Sequence, residues 1–162
     1  MNDRLIIDVP RLKKNGENFQ GELPVEALDW GQDEYSSPVG GLGYDLFVQE
    51  LGDELLVRGR VWQGFQCVCS RCAKTFEMTV EEPDLLFSLD LNECLIEING
   101  INGFADLTNE VREAIILAFP GYPVCREDCK GLCPKCGKNL NDGPCGCRKE
   151  ADNRWAALDG LG

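Results

Sequence analysis

The spacing of the cysteines constrains the fold of this chain more than any other feature of its sequence. Six of the ten cysteines lie within residues 125–147, and a separate Cys-x-x-Cys pair stands upstream. Such short spacings allow two sulfurs to reach one metal ion, and two pairs complete a tetrahedral site of four thiolates. Four pairs therefore predict two zinc ions. The eight predicted ligands are Cys69, Cys72, Cys125, Cys129, Cys133, Cys136, Cys145 and Cys147.

The complete absence of histidine limits the chemistry of these sites. Every mechanism that needs a histidine base is excluded. A ligand set made of thiolates favours zinc, with an iron–sulfur cluster as the minor alternative. The first ten residues do not resemble a secretory signal, and no run approaches the roughly 18 apolar residues of a membrane-spanning helix. We therefore expect a cytoplasmic protein without membrane contact, where clustered cysteines hold metal more often than they form disulfides.

Charge is distributed unevenly along the chain. The whole sequence carries 16 basic and 28 acidic residues, for a formal net charge of −12, whereas residues 125–154 carry seven basic and five acidic ones. An acidic body with a mildly basic, cysteine-rich end predicts two different contact surfaces. For the body, an acidic surface that only keeps the protein in solution is the simpler interpretation.

The middle of the chain has the alternating pattern of β-strands. Apolar and polar residues alternate over 44–51 and 55–67, on either side of the turn formers Gly52 and Asp53, which predicts an antiparallel hairpin. The alternation resumes over 75–81, so the first Cys-x-x-Cys pair is expected in the turn between two strands. The other expectations are strands over 5–9, 85–91 and 95–98, a short helix over 24–30, and a flexible loop over 31–43.

One segment has the pattern of an amphipathic helix. Over 107–119 the apolar residues recur at helical spacing, Asp106 can cap the first turn, and Pro120 ends the helix. A short terminal helix is predicted over 152–161. Together these patterns predict an α+β fold: an antiparallel β-sheet with a packed helix and a C-terminal zinc-ribbon-like module. The predicted domains are an α+β core over 1–124, with a Cys69/Cys72 knuckle, and a zinc-binding tail with the terminal helix over 125–162.

The eight cysteines can be divided between two ions in two ways. In the first, the last four form a local site, because the eight residues that join its two arms contain Gly, Asn and Pro, which favour a tight loop. Cys125 and Cys129 then meet the upstream pair and connect the end of the helix to the hairpin. In the second, the four cysteines within 125–136 share one ion. We favour the first because it leaves no pair without a partner. The remaining two, Cys67 and Cys94, are predicted to be inert core thiols.

The same residues carry a resemblance to a known family. The motifs are Cys69-Ser-Arg-Cys72 in a hairpin, Glu113-Ala-Ile-Ile-Leu-Ala-Phe-Pro120, Cys125-x3-Cys129-Lys-Gly-Leu-Cys133-Pro-x-Cys136-Gly-x-Asn-Leu-Asn141, Cys145-x-Cys147 and Asp152-x-Arg154-Trp155-Ala-Ala-Leu158. Together they resemble the YceD family over roughly the last hundred residues, and only loosely over the N-terminal third. Two departures are Ala73, where the family usually has leucine, and Asn153, where it commonly has proline.

The resemblance implies a bacterial and plastid protein that is needed for the accumulation of large-subunit ribosomal RNA. It implies a factor in ribosome assembly, whose gene often neighbours that of a large-subunit ribosomal protein. The expected partner is a precursor of the large subunit, with no small-molecule substrate. Because four protein ligands for each ion leave no open position for water, catalysis by zinc is not expected.

Two modes of binding to such a precursor are considered. Eight thiolates and two zinc ions would add a net −4 to the formal charge of −12. We therefore rank binding of the acidic body to a basic ribosomal protein above direct contact with RNA. The candidates for contact with RNA phosphates are Arg71, Lys74, Lys130, Lys135, Lys138, Arg148 and Lys149.

The rival hypothesis is a thiol-based redox or zinc-responsive regulatory protein. A Cys-x-x-Cys redox motif needs a strand-to-helix turn that lowers the pKa of its first thiol. Both pairs here are predicted elsewhere, in a turn between strands and in a turn-rich tail. A simpler third possibility is a zinc-stabilised adaptor with an unrelated protein partner.

Overall fold

The structure consists of two antiparallel sheets and a helix that packs against the larger sheet. The computed structural model describes residues 3–31 and 33–147. The strands are β1 (Ile6–Asp8), β2 (Glu17–Leu23), β3 (Ser36–Leu51), β4 (Glu54–Val68), β5 (Thr75–Asp90), β6 (Leu95–Ile98) and β7 (Ile101–Asp106). The helices are the single turn α1 (Leu91–Cys94) and α2 (Thr108–Ala118), with 3-10 turns at Val9–Arg11, Val25–Ala27 and Leu140–Asp142. The larger sheet has the order β2-β3-β4-β5 and the smaller one β1-β7-β6.

The described chain is thus mostly antiparallel β-structure with few helices. Two details of the prediction were wrong: the strands form two sheets rather than one, and the segments 75–81 and 85–91 belong to the single strand β5. Strands β2 and β7 were not predicted, because their sequences contain glycine and several polar residues and lack a strict alternation. The predicted terminal helix over 152–161 lies outside the described residues.

The long hairpin of β3 and β4 follows the predicted register. Leu51 pairs with Glu54 across the two-residue turn, where Gly52 has a φ of 65°. This left-handed conformation is the one that hairpin turns of this length require, and glycine adopts it without strain. The inward residues of the two strands are fully buried, and the largest of them are Leu42, Leu46, Val48, Leu55, Val57 and Val61.

The predicted flexible loop over 31–43 was wrong, because β3 already begins at Ser36. The segment 36–39 pairs with 64–67 of β4, and a register shift between Val39 and Gly43 takes up the extra residues as a β-bulge. Strand β2 pairs with β3 only from Leu42 onward, so Pro38 lies where β3 is an edge and needs no amide for a second neighbour. Glycine and proline here mark a bulge and an edge rather than a loop.

One continuous core joins both sheets to α2. Val111 and Ile115, on the inward face of α2, are fully buried, and full burial of such a side chain contributes roughly 1.5–3 kcal/mol. The carboxylate of Asp106 accepts the backbone N–H of Thr108 at 3.0 Å, so it satisfies one of the donors at the helix start, as predicted. The helix begins one residue later than its pattern suggested, at Thr108.

Aromatic packing brings the end of α2 to the tip of the β4–β5 hairpin. The ring of Phe65 on β4 lies edge-on between Trp30, at 5.6 Å, and Phe119, at 4.9 Å between ring centroids. Just beyond the helix, the carbonyl of Pro123 accepts the backbone N–H of Ser70 at 2.9 Å. The chain after α2 is therefore held against the turn that connects β4 and β5. Among the described residues, no helix is both long and apolar enough to cross a membrane.

The close contact between β3 and β4 at Gly59 gives a test of this fold. A Cβ atom at Gly59, whose φ is 151°, would overlap the backbone carbonyl oxygen of Asp45. We expect Gly59→Ala to lower the free energy of unfolding by about 2–4 kcal/mol, because the strands must separate at the centre of the sheet. Gly52→Ala is the control: it adds strain at a positive φ but meets no atom, so about 1 kcal/mol is expected. Equal losses in denaturant titrations would contradict the register.

Candidate metal centres

The first group of cysteines joins the β4–β5 turn to the chain that follows α2. The Sγ atoms of Cys69 and Cys129 are 3.9 Å apart, those of Cys72 and Cys125 are 3.8 Å apart, and all four lie within 4.8 Å of one another. A tetrahedral zinc ion with Zn–S bonds of about 2.3 Å separates its sulfurs by about 3.8 Å, whereas a disulfide needs about 2.05 Å. These distances suit a shared metal ion and not a disulfide.

The second group consists of the four cysteines of the tail. The Sγ atoms of Cys133, Cys136, Cys145 and Cys147 again lie within 4.8 Å of one another, with Cys133 buried and Cys136 exposed. The structure therefore brings the sulfurs together in the first of the two partitions considered from the sequence. Each group of four could hold one metal ion. Within the described residues, no third set of cysteine and carboxylate side chains comes together in this way.

The two Cys-x-x-Cys turns have the same backbone geometry. In each, the N–H of the first cysteine donates to the carbonyl five residues later, at 2.9 and 2.8 Å. The N–H four residues later donates back to the carbonyl of the first cysteine, at 2.9 and 2.8 Å. That fourth position has a positive φ in both turns, 56° at Ala73 and 73° at Gly137. We call each of these turns, residues 69–74 and 133–138, a knuckle; each supplies two ligands from a rigid local structure.

The tail crosses the first knuckle closely. The carbonyl of Arg71 accepts the backbone N–H of Leu132 at 3.0 Å, and a Cβ atom at Gly131 would lie 2.9 Å from the same carbonyl oxygen. In return, Nη1 of Arg71 donates to the carbonyls of Glu127 and Cys129, at 2.8 and 3.2 Å. Gly131, with a φ of 72°, fits this crossing because it has no side chain. The contact places Cys129 beside the first knuckle.

Asn141 connects the two cysteine groups, a role that reasoning from the sequence missed. It lies between the two arms of the second group, and its Nδ2 donates to the sulfur of Cys129 in the first group at 3.4 Å. Its Oδ1 accepts the backbone N–H of Lys130 at 2.9 Å and Nη2 of Arg126 at 2.7 Å. A hydrogen bond to a ligand sulfur orients it and stabilises its ionised form. The only signal in the sequence was the place of Asn141 in the family motif.

The backbone of each knuckle favours a thiolate at its first cysteine. In the second knuckle, the backbone N–H groups of Cys136 and Lys135 lower the pKa of Cys133 to about 6. In the first, burial raises the pKa of Cys69, but the backbone N–H groups that point at its sulfur outweigh burial and bring the pKa to about 6. The amide of Asn141 is the largest influence that lowers the pKa of Cys129. Three of the eight thiols are thus prepared to ionise by their own surroundings.

Other sulfurs in the same groups are held protonated by their neighbours. Burial and hydrogen bonds with the other three sulfurs raise the pKa of Cys125 to about 12. A hydrogen bond with Cys136, followed by burial, raises the pKa of Cys147 to about 12. Four sulfurs at these separations cannot all be anionic unless a cation shares the site. The donor set therefore fits a divalent metal ion that prefers thiolate ligands.

The predicted RNA-contacting residues are placed in different surroundings. Arg71 is held in the crossing described above, Nζ of Lys74 lies 3.4 Å from a carboxylate oxygen of Asp142, and Nζ of Lys138 donates to the Pro144 carbonyl at 3.0 Å. These side chains help to hold the tail in place. Lys130 and Lys135 are exposed on the tail, while Arg148 and Lys149 lie outside the described residues.

Cys67 and Cys94 belong to neither group. Cys67 is 1% exposed on the inner face of β4, and Cys94 is half-buried at the end of α1. Burial raises the pKa of both thiols. They therefore remain protonated at neutral pH and serve as small apolar side chains.

Comparisons with known proteins match this region in particular. The model of the family described as large ribosomal RNA subunit accumulation protein YceD matches residues 57–162. An uncharacterized protein of Mycobacterium tuberculosis is 31% identical over 125 residues, covering 72% of this chain and 60% of that protein. An uncharacterized protein of Mycobacterium leprae is 27% identical over 157 residues, covering 93% of this chain and 66% of that protein. No solved structure matches the chain.

A further relative has a descriptive name. The chloroplastic large ribosomal RNA subunit accumulation protein YCED homolog 1 of Arabidopsis thaliana is 37% identical over 57 residues, covering 35% of this chain and 18% of that protein. The chain spans about 60% of the length of the Mycobacterium tuberculosis relative. The family model covers more than half of the chain and includes all eight grouped cysteines. The chain therefore belongs to the YceD family.

Proposed function

We propose that this protein is a non-catalytic zinc-binding factor in ribosome biogenesis that supports the accumulation of large-subunit ribosomal RNA. The observation that carries the proposal is the pair of four-sulfur groups, which share the framework of Asn141 and Arg71 and lie within the segment that matches the family model. The name of that family supplies the link to large-subunit RNA. We further propose that the protein acts in the cytoplasm.

Zinc is the proposed metal because of the donor set. Four thiolates at tetrahedral separations, without histidine, are typical of structural zinc. When bound, each zinc would supply the positive charge that allows all four of its sulfurs to ionise. A site closed by four protein ligands has no position for a reacting water, which supports a structural role and no enzymatic activity. Since the first group takes ligands from both sides of α2, its metal would fasten the tail, residues 125–162, to the core, residues 1–124.

The proposed partner is a precursor of the large ribosomal subunit. Arg71, Lys74 and Lys138 already bind groups of this chain, so fewer bases are available for RNA phosphates than the sequence suggested. Lys130 and Lys135, with Arg148 and Lys149, are the remaining tail candidates for RNA contact. The acidic body favours a basic ribosomal protein, because opposite charges speed encounter and exclude wrong partners. We therefore rank binding through a ribosomal protein above direct binding to RNA.

A thiol-based redox or zinc-responsive regulator is the second candidate, and it is favoured by one observation. Without metal, Cys69 and Cys133 have pKa values lowered to about 6, and such thiols are reactive when accessible. However, Cys69 lies in a turn between two strands and is 2% exposed. Metal content separates the two functions: two zinc ions that survive gel filtration support the scaffold, whereas exchange with a thiol reagent at neutral pH supports the regulator.

The two centres should respond differently to loss of one ligand. We expect Cys133→Ser to release one zinc and loosen only the tail, leaving the unfolding transition of the core nearly unchanged. Cys69→Ser should also release one zinc but lower the stability of the core by several kcal/mol, since metal binding energy at this site is folding energy. Zinc content and thermal unfolding measure both effects, and Cys94→Ser, which should retain two zinc ions, is the matched control. The same stability loss in both ligand variants would contradict the assignment.

Asn141 should tune the first centre although it is not a ligand. We expect Asn141→Ala to weaken metal retention at the first centre by about 10–100-fold, because the sulfur of Cys129 loses its hydrogen bond and the loop loses its anchor. Competition with a coloured chelator measures retention, and Cys133→Ser in the same background isolates the first centre. The control is Asn109→Ala, on the exposed side of α2. Equal retention in both asparagine variants would show that Asn141 has no effect on the metal.

The functional proposal is tested in cells that lack the gene. We expect the ratio of large-subunit to small-subunit ribosomal RNA to fall in these cells, and expression of the intact chain to restore it. Cys69→Ser should fail to restore the ratio, whereas Cys94→Ser should succeed. In sucrose gradients, the tagged protein should sediment with particles lighter than the mature large subunit. A normal RNA ratio without the gene, together with a protein that stays at the top of the gradient, would rule the function out.

A further inference from the structure

A groove runs between strand β5 and helix α2, and it shares no residue with either cysteine group. It has a volume of about 510 Å³ and is lined by residues 82 and 84–89 of β5 together with one side of α2. Two of its leucines are unusually exposed: Leu86 is 66% exposed and Leu117 is 86% exposed. A single exposed leucine is common on protein surfaces, but two on the walls of one groove form an apolar site that water covers poorly.

The groove follows the free edge of a sheet. In the described part of the chain, β5 is the last strand of the larger sheet and pairs only with β4. Six consecutive residues, 84–89, line the groove, and in a strand consecutive side chains point to opposite faces. Both faces can border one groove only if it lies at the edge of the strand. Alternate N–H and C=O groups of β5 therefore point into it, as a template for one more strand.

The charge of the groove is entirely negative. Its charged lining consists of Glu82, Asp84, Glu110 and Glu113, with no lysine or arginine. Arg112 is on α2 but follows Val111 by about 100° around the helix axis, on the flank away from the groove. None of the four acids forms an ion pair with a described base. The Oε2 atom of Glu110 is buried without a hydrogen-bond partner in the described structure, and burial raises the pKa of its carboxyl group.

Protection of the edge and self-association both account for the groove less well than a bound partner does. Proteins protect free edges with charges and proline, and Pro83 with its acidic neighbours resembles such protection. Protection does not account for Leu86 and Leu117, because exposed leucines promote the association that an edge charge prevents. A second copy of the chain could pair edge to edge. That arrangement would oppose four carboxylates to four others, and like charges across an interface cost several kcal/mol.

We propose that the edge of β5 beside α2 binds an extended, basic polypeptide segment whose alternate side chains are lysine or arginine and apolar. The segment adds a strand to β5, its apolar side chains cover Leu86 and Leu117, and its cations meet the four carboxylates. The inference rests on the proposed function only for the source of such a segment, which would be a basic ribosomal protein. The chemistry of the groove does not depend on that source.

The test uses the full chain loaded with zinc and a synthetic peptide of about eight residues, matched to β5, that alternates lysine with valine. We expect Asp84→Lys with Glu113→Lys to weaken peptide binding by about tenfold or more. The matched control, Glu26→Lys with Glu34→Lys, makes the same change in net charge at exposed acids outside the groove, and should change the Kd by less than about threefold. Equal weakening in both pairs would show only a response to net charge and would overturn the proposal.

Two further measurements test the binding mode. Leu117→Gln, which preserves helix propensity, should weaken the peptide more than Leu51→Gln in the β3–β4 turn, where the leucine is 50% exposed. Peptide binding should slow amide hydrogen exchange within 84–89, and a peptide N-methylated on its edge-facing amides should bind at least about tenfold more weakly. Unchanged exchange there, or equal affinity of the N-methylated peptide, would overturn strand addition.

The oligomeric state and the cellular assay separate this proposal from its rivals. If the protein is a dimer by sedimentation and Asp84→Lys with Glu113→Lys makes it monomeric, a second copy occupies the groove and the proposal is wrong. Unchanged thermal unfolding of each variant shows that a loss of binding is not a loss of fold. Failure of peptide binding, with the protein still sedimenting with large-subunit precursors, removes the groove and leaves the proposed function intact. Peptide binding without any effect of the gene on ribosomal RNA does the reverse.

Discussion

The meeting of four sulfurs at the tip of the β4–β5 hairpin is the interaction on which the arrangement of this protein depends. Two of the sulfurs come from a turn within the sheet and two from the chain beyond α2. They are brought together by the packing of Phe119 on Phe65 and by the hydrogen bond from Ser70 to Pro123. The core thus prepares the first centre, and metal bound there would in turn fix the position of everything after residue 124.

The second centre is built differently, although its knuckle repeats the first. Its four ligands come from one short stretch of chain, so closing it orders few contacts outside the tail. Asn141 and Arg71 couple it to the first centre through hydrogen bonds to Cys129 and its neighbours. The tail is therefore a small unit with its own local site, anchored to the sheet by a long-range one. Such a design presents the tail's surface in a fixed orientation without a large hydrophobic interface.

Two surfaces of opposite character follow from this architecture. The tail carries exposed lysines around closed sulfur sites, whereas the groove beside α2 carries carboxylates, exposed leucines and a free strand edge. A ribosomal precursor offers both RNA phosphates and basic protein segments, so one protein with both surfaces suits such a partner. The negative formal charge of the chain makes the protein-facing surface the stronger of the two.

Local patterns predicted a substantial part of the structure. The turn at Gly52 and Asp53, the alternation along β4 and the amphipathic face of α2 were all predicted correctly, because each depends on neighbours a few residues apart. The bulged start of β3 was not, since Pro38 and the following glycines are typical of loops as well as of bulges at an edge. Strands β2 and β7 were missed for a related reason: pairing with a neighbour compensates for a weak local preference.

The sequence by itself determined which atoms can bind metal and how many ions they suit, because cysteine spacing and the lack of histidine are properties of the chain alone. Only the tertiary structure decided how the eight sulfurs divide, since the distance from Cys69 to Cys129 depends on the packing of sheet, helix and tail. It also decided that Asn141 supports a sulfur remote from it in sequence, and that four scattered acids face one groove. Proximity between residues far apart in the chain is set by packing in three dimensions, which no local pattern records.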